Sequence, residues 1–397
     1  GKNIGIYMIE TPTLMEPMLP EERNKRLEDL ATDLIGKASS LVSILRPEVR
    51  ASVGDLVRSM NCYYSNLIEG HNTHPRDIDR AMKADYSTDT KKRELQLEAR
   101  AHIEVQRMVD TDSAGNLVSP DYICWIHREF CSRLPEELLW VTNPDSGKKI
   151  KVEPGVLRDG DVQVGRHLAP RPDALSMFLD RFTDAYALEK HSKLCQIIAV
   201  GASHHRLLWI HPFYDGNGRV TRLFSHAYLR HIGIGNSLWS ISRGLARRVA
   251  DYKSLLMQAD EPRRGDLDGR GSLTAAGLFD FCVFFLEICI DQVDYMASIL
   301  EPSELLRRIQ LYCEDEIRAE RLPKGSFDLL REALLAGSFD RGKADLITGY
   351  KERQARSVLA KLVSKGLLVS DSPKSPVRLG FPIDVVERWF PKLYPAM

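Results

Sequence analysis

The stretch His211-Pro-Phe-Tyr-Asp-Gly-Asn-Gly-Arg-Val-Thr-Arg222 places a histidine, a carboxylate, two glycines and two arginines within twelve residues. Asp215-Gly216-Asn217-Gly218 reads as a tight loop running into a helix predicted over 219–230. Glycines on both sides of Asn217 let the backbone curl so that successive N–H groups point at one spot. A helix N-terminus adds partial positive charge there. This is an anion cradle, and phosphate is the usual occupant of such a loop. It is not a Walker A loop, because the Gly-Lys-Ser/Thr ending is missing. Arg219 and Arg222 stand three apart on one helix face, where their guanidinium forks can grip further phosphate oxygens. Two arginines at a helix start oppose the helix dipole, a local cost that a bound anion would offset. Asp215 is a hard oxygen ligand placed to hold Mg²⁺ against the same phosphates. His211 can act as a base on an incoming hydroxyl. Phe213, set between polar positions, is expected to anchor the loop in the core.

A metal-hydrolase cluster of His204, His205, His211 and Asp215 is the rival reading of the same side chains. Adjacent residues on a helix diverge by about 100°, so His204 and His205 cannot easily face one ion together with His211.

The stretch resembles the Fic family motif, His-x-Phe-x-Asp/Glu-Gly-Asn-Gly-Arg-x-x-Arg, at every fixed position. The resemblance extends over roughly residues 50–300. It implies transfer of AMP from ATP, with Mg²⁺, to a Tyr, Thr or Ser hydroxyl of a target protein or of the chain itself. His211 then matches the base, and Asp215 the Mg²⁺ ligand. Gly216, Asn217 and Gly218 match the anion hole for the α- and β-phosphates, Arg219 the β-phosphate contact and Arg222 the γ-phosphate contact. Upstream, Ser65-Asn-Leu-Ile-Glu69-Gly70 matches the family's inhibitory pattern, Ser/Thr-x-x-x-Glu-Gly/Asn. There the Glu69 carboxylate would pair with Arg222 and take the γ-phosphate seat. The hairpin around 158–167 resembles the flap that docks the target by strand addition, with Val162 and Val164 on its inward face. On the adenine side Tyr252 matches the first of a Tyr-Tyr pair, whereas Lys253 and Asp260 depart from the pattern. Removal of AMP at the same site is the reverse reading, and a homodimer is left open.

The elements that must position these groups are mostly helical. Apolar residues recur at helical spacing over 21–45, and Pro47 starts a helix that runs to Glu69 and stops at Gly70. Further helices are predicted at about 76–84, 90–110, 120–133, 172–189, 192–208, 217–231, 243–259, 272–299 and 303–320. Ile150 and Val152, then Val162 and Val164, flank Asp159-Gly160-Asp161 and predict one two-stranded hairpin. After Arg321-Leu-Pro-Lys-Gly-Ser, helices at 327–336, 342–348 and 351–365 precede a hairpin with a Ser/Pro/Lys tip, a winged-helix order. The expected fold is mainly α: a helical Fic core with a β-hairpin flap, plus a small C-terminal winged-helix domain. Its divisions are an N-terminal helical region over 1–110 with the inhibitory motif, a catalytic core over 111–300, a linker helix over 301–326 and the winged-helix-like unit over 327–397.

Composition sets the frame. The 55 basic and 55 acidic residues balance, which excludes a globally basic nucleic-acid coat and an acidic disordered chain. Residues 341–397 nonetheless hold eleven Lys/Arg against five Asp/Glu. Lys351, Arg353, Arg356 and Lys361 lie along the presumed recognition helix, so a DNA-binding regulator acting through 341–397 is the rival function. Seven cysteines without a CxxC pair point to free thiols and a cytoplasmic setting rather than a zinc ribbon or a disulfide scaffold. No secretory leader and no membrane span are expected, since residues 1–20 lack a basic start with a long apolar run and Asp280 and Glu287 interrupt the richest apolar stretch.

Overall fold

The computed structural model describes residues 10–20, 25–112 and 115–396. The leader expectation for 1–9 and the helix start at 21–24 lie outside the described residues. α1 (Lys25–Val42) buries a stripe of Leu27, Ala31, Leu34, Ala38 and Leu41. α2 (Pro47–Ile68) has proline in its first turn and is followed by Gly70 at φ +82. α3 (Pro75–Met82), α4 (Thr90–Thr111) and α5 (Pro120–Cys131) follow. Asp89 and Ser119 cap the last two by accepting main-chain N–H groups.

The β signal resolves differently from expectation. β1 (Trp140–Thr142) pairs antiparallel with β2 (Lys149–Lys151), Val141 opposite Ile150. β3 (Gln163–Val164) pairs with β4 (His167–Leu168). The single hairpin turning at Asp159–Asp161 does not form. Ile150 pairs upstream because Asn143 builds a turn, its Oδ1 accepting from the Asp145 and Ser146 N–H groups. Gly165, at φ +56, turns the chain between Val164 and His167. The segment between β2 and β3 is held by the buried Arg158 rather than by a ladder. Val164 is 48% exposed and Val162 is half-buried.

α6 (Leu175–Ala185) stops short of 189, and α7 (Lys193–Ile210) and α8 (Asn217–His231) bracket the motif. The helix expected over 243–259 is two, α9 (Ile241–Arg247) and α10 (Val249–Ala259). They break at Arg248, whose backbone leaves helical geometry while its guanidinium packs over the Phe284 ring. α11 (Ala275–Leu300) starts at the Thr274 cap and is the central post, apolar on nearly every side, with α1, α7, α9 and α10 packed around it.

The C-terminal section comprises α12 (Pro302–Arg318), α13 (Ser326–Ala336), α14 (Ala344–Thr348), α15 (Glu352–Ser364), the hairpin β5 (Leu368–Val369)–β6 (Arg378–Leu379) and α16 (Ile383–Trp389). α16 was not expected; its short apolar set, Val385, Val386 and Trp389, is buried. The loop at 319–325 falls where a boundary was expected, but packing does not stop there. The Leu379 carbonyl accepts from Ser52 Oγ of α2 at 2.7 Å, and the Leu393 carbonyl from the Tyr64 hydroxyl at 2.7 Å. Tyr394 packs edge-on against Tyr63. Lys351, Arg353, Arg356 and Lys361 are exposed on or beside α15, Arg356 in an ion pair with Glu352. Among the described residues no helix is long and apolar enough to cross a membrane.

Candidate active site

α7 ends at Ile210, and His211 closes it in the left-handed conformation, φ 52 and ψ 62. For a residue with a β-carbon that conformation costs about 1–2 kcal/mol, so the surroundings must enforce it. The His211 N–H donates to the Leu207 carbonyl at 3.1 Å, and the His211 carbonyl accepts from Arg158 Nε at 2.7 Å. Phe213 is fully buried, as expected, and stacks on the His127 ring with centroids 3.8 Å apart. Asn217 closes the loop from the other side. Its Oδ1 accepts from the Phe213 N–H at 3.0 Å and its Nδ2 donates to the Phe213 carbonyl at 2.7 Å. The Asn217 side chain is thus a loop clamp. What it offers an anion is its N–H at the start of α8. Gly216, at φ +86, is the N-cap of α8 and supplies no side-chain acceptor, which leaves the first N–H groups of the helix for an outside partner.

A carboxylate already lies in that cradle. Glu69, just past the end of α2, accepts from Arg222 Nη2 at 2.5 Å. A Cβ built on Gly218 would fall 2.1 Å from Glu69 Oε1, so the carboxylate rests on the glycine face of the helix start. Arg222 is buried and also donates from Nε to Ser65 Oγ at 2.9 Å and from Nη2 to the Ser65 carbonyl at 3.0 Å. Ser65 and Glu69, predicted as a pair, meet on one guanidinium. Burial alone would raise the Glu69 pKa; Arg222 and Arg219 override it and hold the carboxyl below its usual range. Arg219 is 4% exposed. Its Nη1 forms a buried ion pair with Glu98 Oε2 at 2.8 Å, and among the described residues its Nε has no hydrogen-bond partner. A buried guanidinium with one unpartnered N–H, beside free helix N–H groups, fits a phosphate.

The His211 imidazole is neutral at pH 7. Burial, then Arg158 and His167, push its pKa down to about 4, against a smaller upward pull from Glu69. The Asp215 carboxylate is half exposed at the cradle mouth, 3.9 Å from Arg219 Nη2. A half-exposed carboxylate beside the helix start fits Mg²⁺, which takes one or two carboxylates and fills its remaining positions with water and phosphate oxygens. Tyr252, expected on the adenine side, lies in the core. It is 2% exposed, and its hydroxyl bonds His204 Nε2 at 2.7 Å, because α10 turns that side chain into the core. Lys253 is exposed, and Asp260 lies 2.9 Å from His205 Nε2. His204 and His205 diverge as predicted, and among the described residues no group of three or more His, Cys, Asp or Glu could hold a metal.

Three residues of this site escaped the sequence reading. Glu98 holds Arg219 and accepts from His71 Nδ1 at 2.8 Å. His127 supports the loop as a neutral ring: Nδ1 accepts from the Gly155 N–H at 2.9 Å and Nε2–H donates to the Asp215 carbonyl at 3.0 Å. Arg158 braces His211. Only Glu98 left a signal: with His102, Val105 and Val109 it lies on one helical stripe, a charge on an otherwise buried face.

The buried histidines predict a pH dependence of stability. Burial pushes His102 down to about 3, His127 to about 4 and His204 well below its ordinary value. Unfolded, each titrates near 6.5, so below that pH the unfolded chain binds more protons and folding weakens. Urea melts at pH 7 and pH 5 should differ by on the order of 1–2 kcal/mol per histidine, with the lower stability at pH 5. Equal stability would mean that the rings are protonated in the fold.

The body is mainly helical, with an anion cradle between two central helices, and comparison matches one part of it to a family. Residues 117–229 match the Fic/DOC family, so the chain carries a Fic/DOC domain. It is 38% identical over 82 residues to the protein adenylyltransferase Fic of Drosophila willistoni, covering 21% of this chain and 16% of that protein. It is 30% identical over 172 residues to the protein adenylyltransferase Fic of Nematostella vectensis, covering 43% of this chain and 37% of that protein. The match thus spans well under two thirds of either relative. In fold the chain is similar to a Fic family protein from Desulfovibrio desulfuricans G20, TM-score 0.54 at 16% identity over 92% of this chain and 98% of that one. It is also similar to Fic-1 (residues 134–508) from C. elegans, TM-score 0.52 at 15% identity over 70% and 73%.

Proposed function

We propose that the chain transfers AMP from ATP to a Tyr, Thr or Ser hydroxyl of a protein, and that Glu69 restrains it. The observation that carries this reading is the Glu69 carboxylate bound to Arg222 over Gly218, in a cradle whose neighbouring base is neutral. In this reading His211 takes the proton of the target hydroxyl. The oxygen attacks the α-phosphorus, the bond from that phosphorus to the bridging oxygen breaks, and pyrophosphate leaves. The N–H groups at the start of α8 and the Arg219 guanidinium face charge that grows on the phosphates during attack. Arg222 takes the γ-phosphate once Glu69 has withdrawn. Asp215 would hold Mg²⁺, which when bound neutralises phosphate charge. The β3–β4 hairpin offers Val164, 48% exposed, and Leu168, 63% exposed, to an extended target segment.

The test uses ATP labelled at the α- or at the γ-phosphate, incubated with the Glu69→Gly chain and Mg²⁺. Protein-bound label from the α position alone is the expected result. Label from the γ position would indicate phosphorylation, and label from neither would remove the proposal.

A further inference from the structure

Arg158 is 2% exposed, and among the described residues no carboxylate lies within ion-pair distance of it. A buried cation whose nearest carboxylates, Asp161 and Glu10, act only from beyond ion-pair distance is expensive, and burial holds its pKa below the ordinary arginine range. Its donors go to carbonyls instead. Nε donates to His211 at 2.7 Å, Nη1 to Gly160 at 2.9 Å, and Nη2 to Pro170 at 2.5 Å and Ile210 at 3.3 Å. Its main-chain N–H donates to the Pro212 carbonyl at 3.0 Å. Residues 210–212 carry the base and its left-handed turn. Gly160 and Pro170 are the two feet of the β3–β4 hairpin. One rigid fork therefore joins the backbone of the base to both feet of the hairpin.

We propose that Arg158 is the positioning residue of the base. It holds the His211 main chain in its left-handed conformation and sets the aim of the imidazole and the seat of the hairpin together. The proposal rests on the AMP-transfer reading, in which His211 takes the hydroxyl proton. Lysine cannot replace the fork, since its ammonium is a single point on a flexible stem. The charged groups around His211 are Arg158, His167 of β4 and Glu69 beyond α2.

The test compares Arg158→Lys and Arg158→Gln, each in the Glu69→Gly chain. Both should lower kcat about a hundredfold, the scale of a misaimed catalytic group, while KM for ATP stays within about threefold. Arg158→Lys keeps the positive charge, so the acid limb of the kcat profile should stay in place. Arg158→Gln removes the charge, so that limb should move to higher pH. Retention of kcat in both variants, or a rise in KM that matches the loss, would overturn the proposal. The parent Glu69→Gly chain separates the two levels: no AMP transfer there counts against the transfer reading and not against the brace. The brace itself is tested without substitution. In the unmodified chain the Arg158 Nε–H should give a slowly exchanging ¹⁵N NMR signal. Exchange as fast as that of an exposed arginine overturns the proposal whatever the variants do.

Discussion

Glu69→Gly is expected to raise incorporation of α-labelled AMP by roughly ten- to a hundredfold. The estimate starts from the bond that must break before a γ-phosphate reaches Arg222. Glu69 accepts from Arg222 at 2.5 Å, with the arginine side chain 2% and the carboxylate 33% exposed. A hydrogen bond to a charged group of this kind contributes about 1.5–3 kcal/mol, and each 1.4 kcal/mol is tenfold in occupancy. The partial exposure of Glu69 argues for the lower half of that range. The same substitution should lower stability, because Arg222 stays buried, loses its carboxylate partner and keeps its two bonds to Ser65. Higher activity with a lower Tm is the joint signature. An active variant with an unchanged Tm would mean that the pair contributes no stability, and an inactive one would remove the restraint.

Adding His211→Ala to the Glu69→Gly chain should reduce AMP transfer by about 10³-fold or more, within the span that general base catalysis supplies. Alanine also disfavours the left-handed turn that His211 occupies. His211→Asn separates the two effects, because asparagine adopts that conformation readily yet offers no base. The Asn variant should lose as much activity as the Ala variant while keeping more stability. Retained activity in His211→Asn would show that the loop shape matters and the imidazole does not. In the Glu69→Gly chain the acid limb belonging to His211 should lie near its lowered pKa of about 4, so lowering the pH from 7 to 6 leaves the base unprotonated. The small upward pull of Glu69 is absent there, which moves the limb no higher.

The parts of this site that were legible in the sequence are contiguous. His211 to Arg222 act through one loop and one helix start, so their order along the chain carries their geometry. Ser65 and Glu69 were legible only through the resemblance to the family's inhibitory pattern, since on their own they mark no more than a helix end before a glycine. What escaped depends on distant packing. His127 reaches the Asp215 carbonyl from α5, Glu98 reaches Arg219 from α4, and Arg158 binds carbonyls on both sides of a hairpin. No local period marks an arginine whose partners are main-chain oxygens. The hairpins were misassigned because the alternation of Ile150, Val152, Val162 and Val164 marks extended chain but neither the strand limits nor which strands pair. Asn143 and Gly165 decided the pairing. The break at Arg248 was hidden for a related reason, since no proline or turn residue marks it in the sequence, and its guanidinium lies over Phe284 of another helix.

The contact between Glu69 and Gly218 also makes two distant positions depend on each other. Gly218 lies in ordinary helical backbone, where alanine would otherwise be preferred by roughly 1 kcal/mol. The main obstacle to a methyl group there is the Glu69 oxygen, with Arg222 Nη1 next at 3.1 Å. Gly218→Ala should therefore destabilise the parent chain and cost much less once Glu69 is glycine, when the flexible Arg222 side chain is the only one of these contacts left. A double-mutant cycle on urea stability should show a coupling of about 0.5–3 kcal/mol. Additive effects would mean that the two groups do not share that space. A chain that exchanges one of these residues changes which residues its partner position tolerates, so the end of α2 and the start of α8 are set jointly.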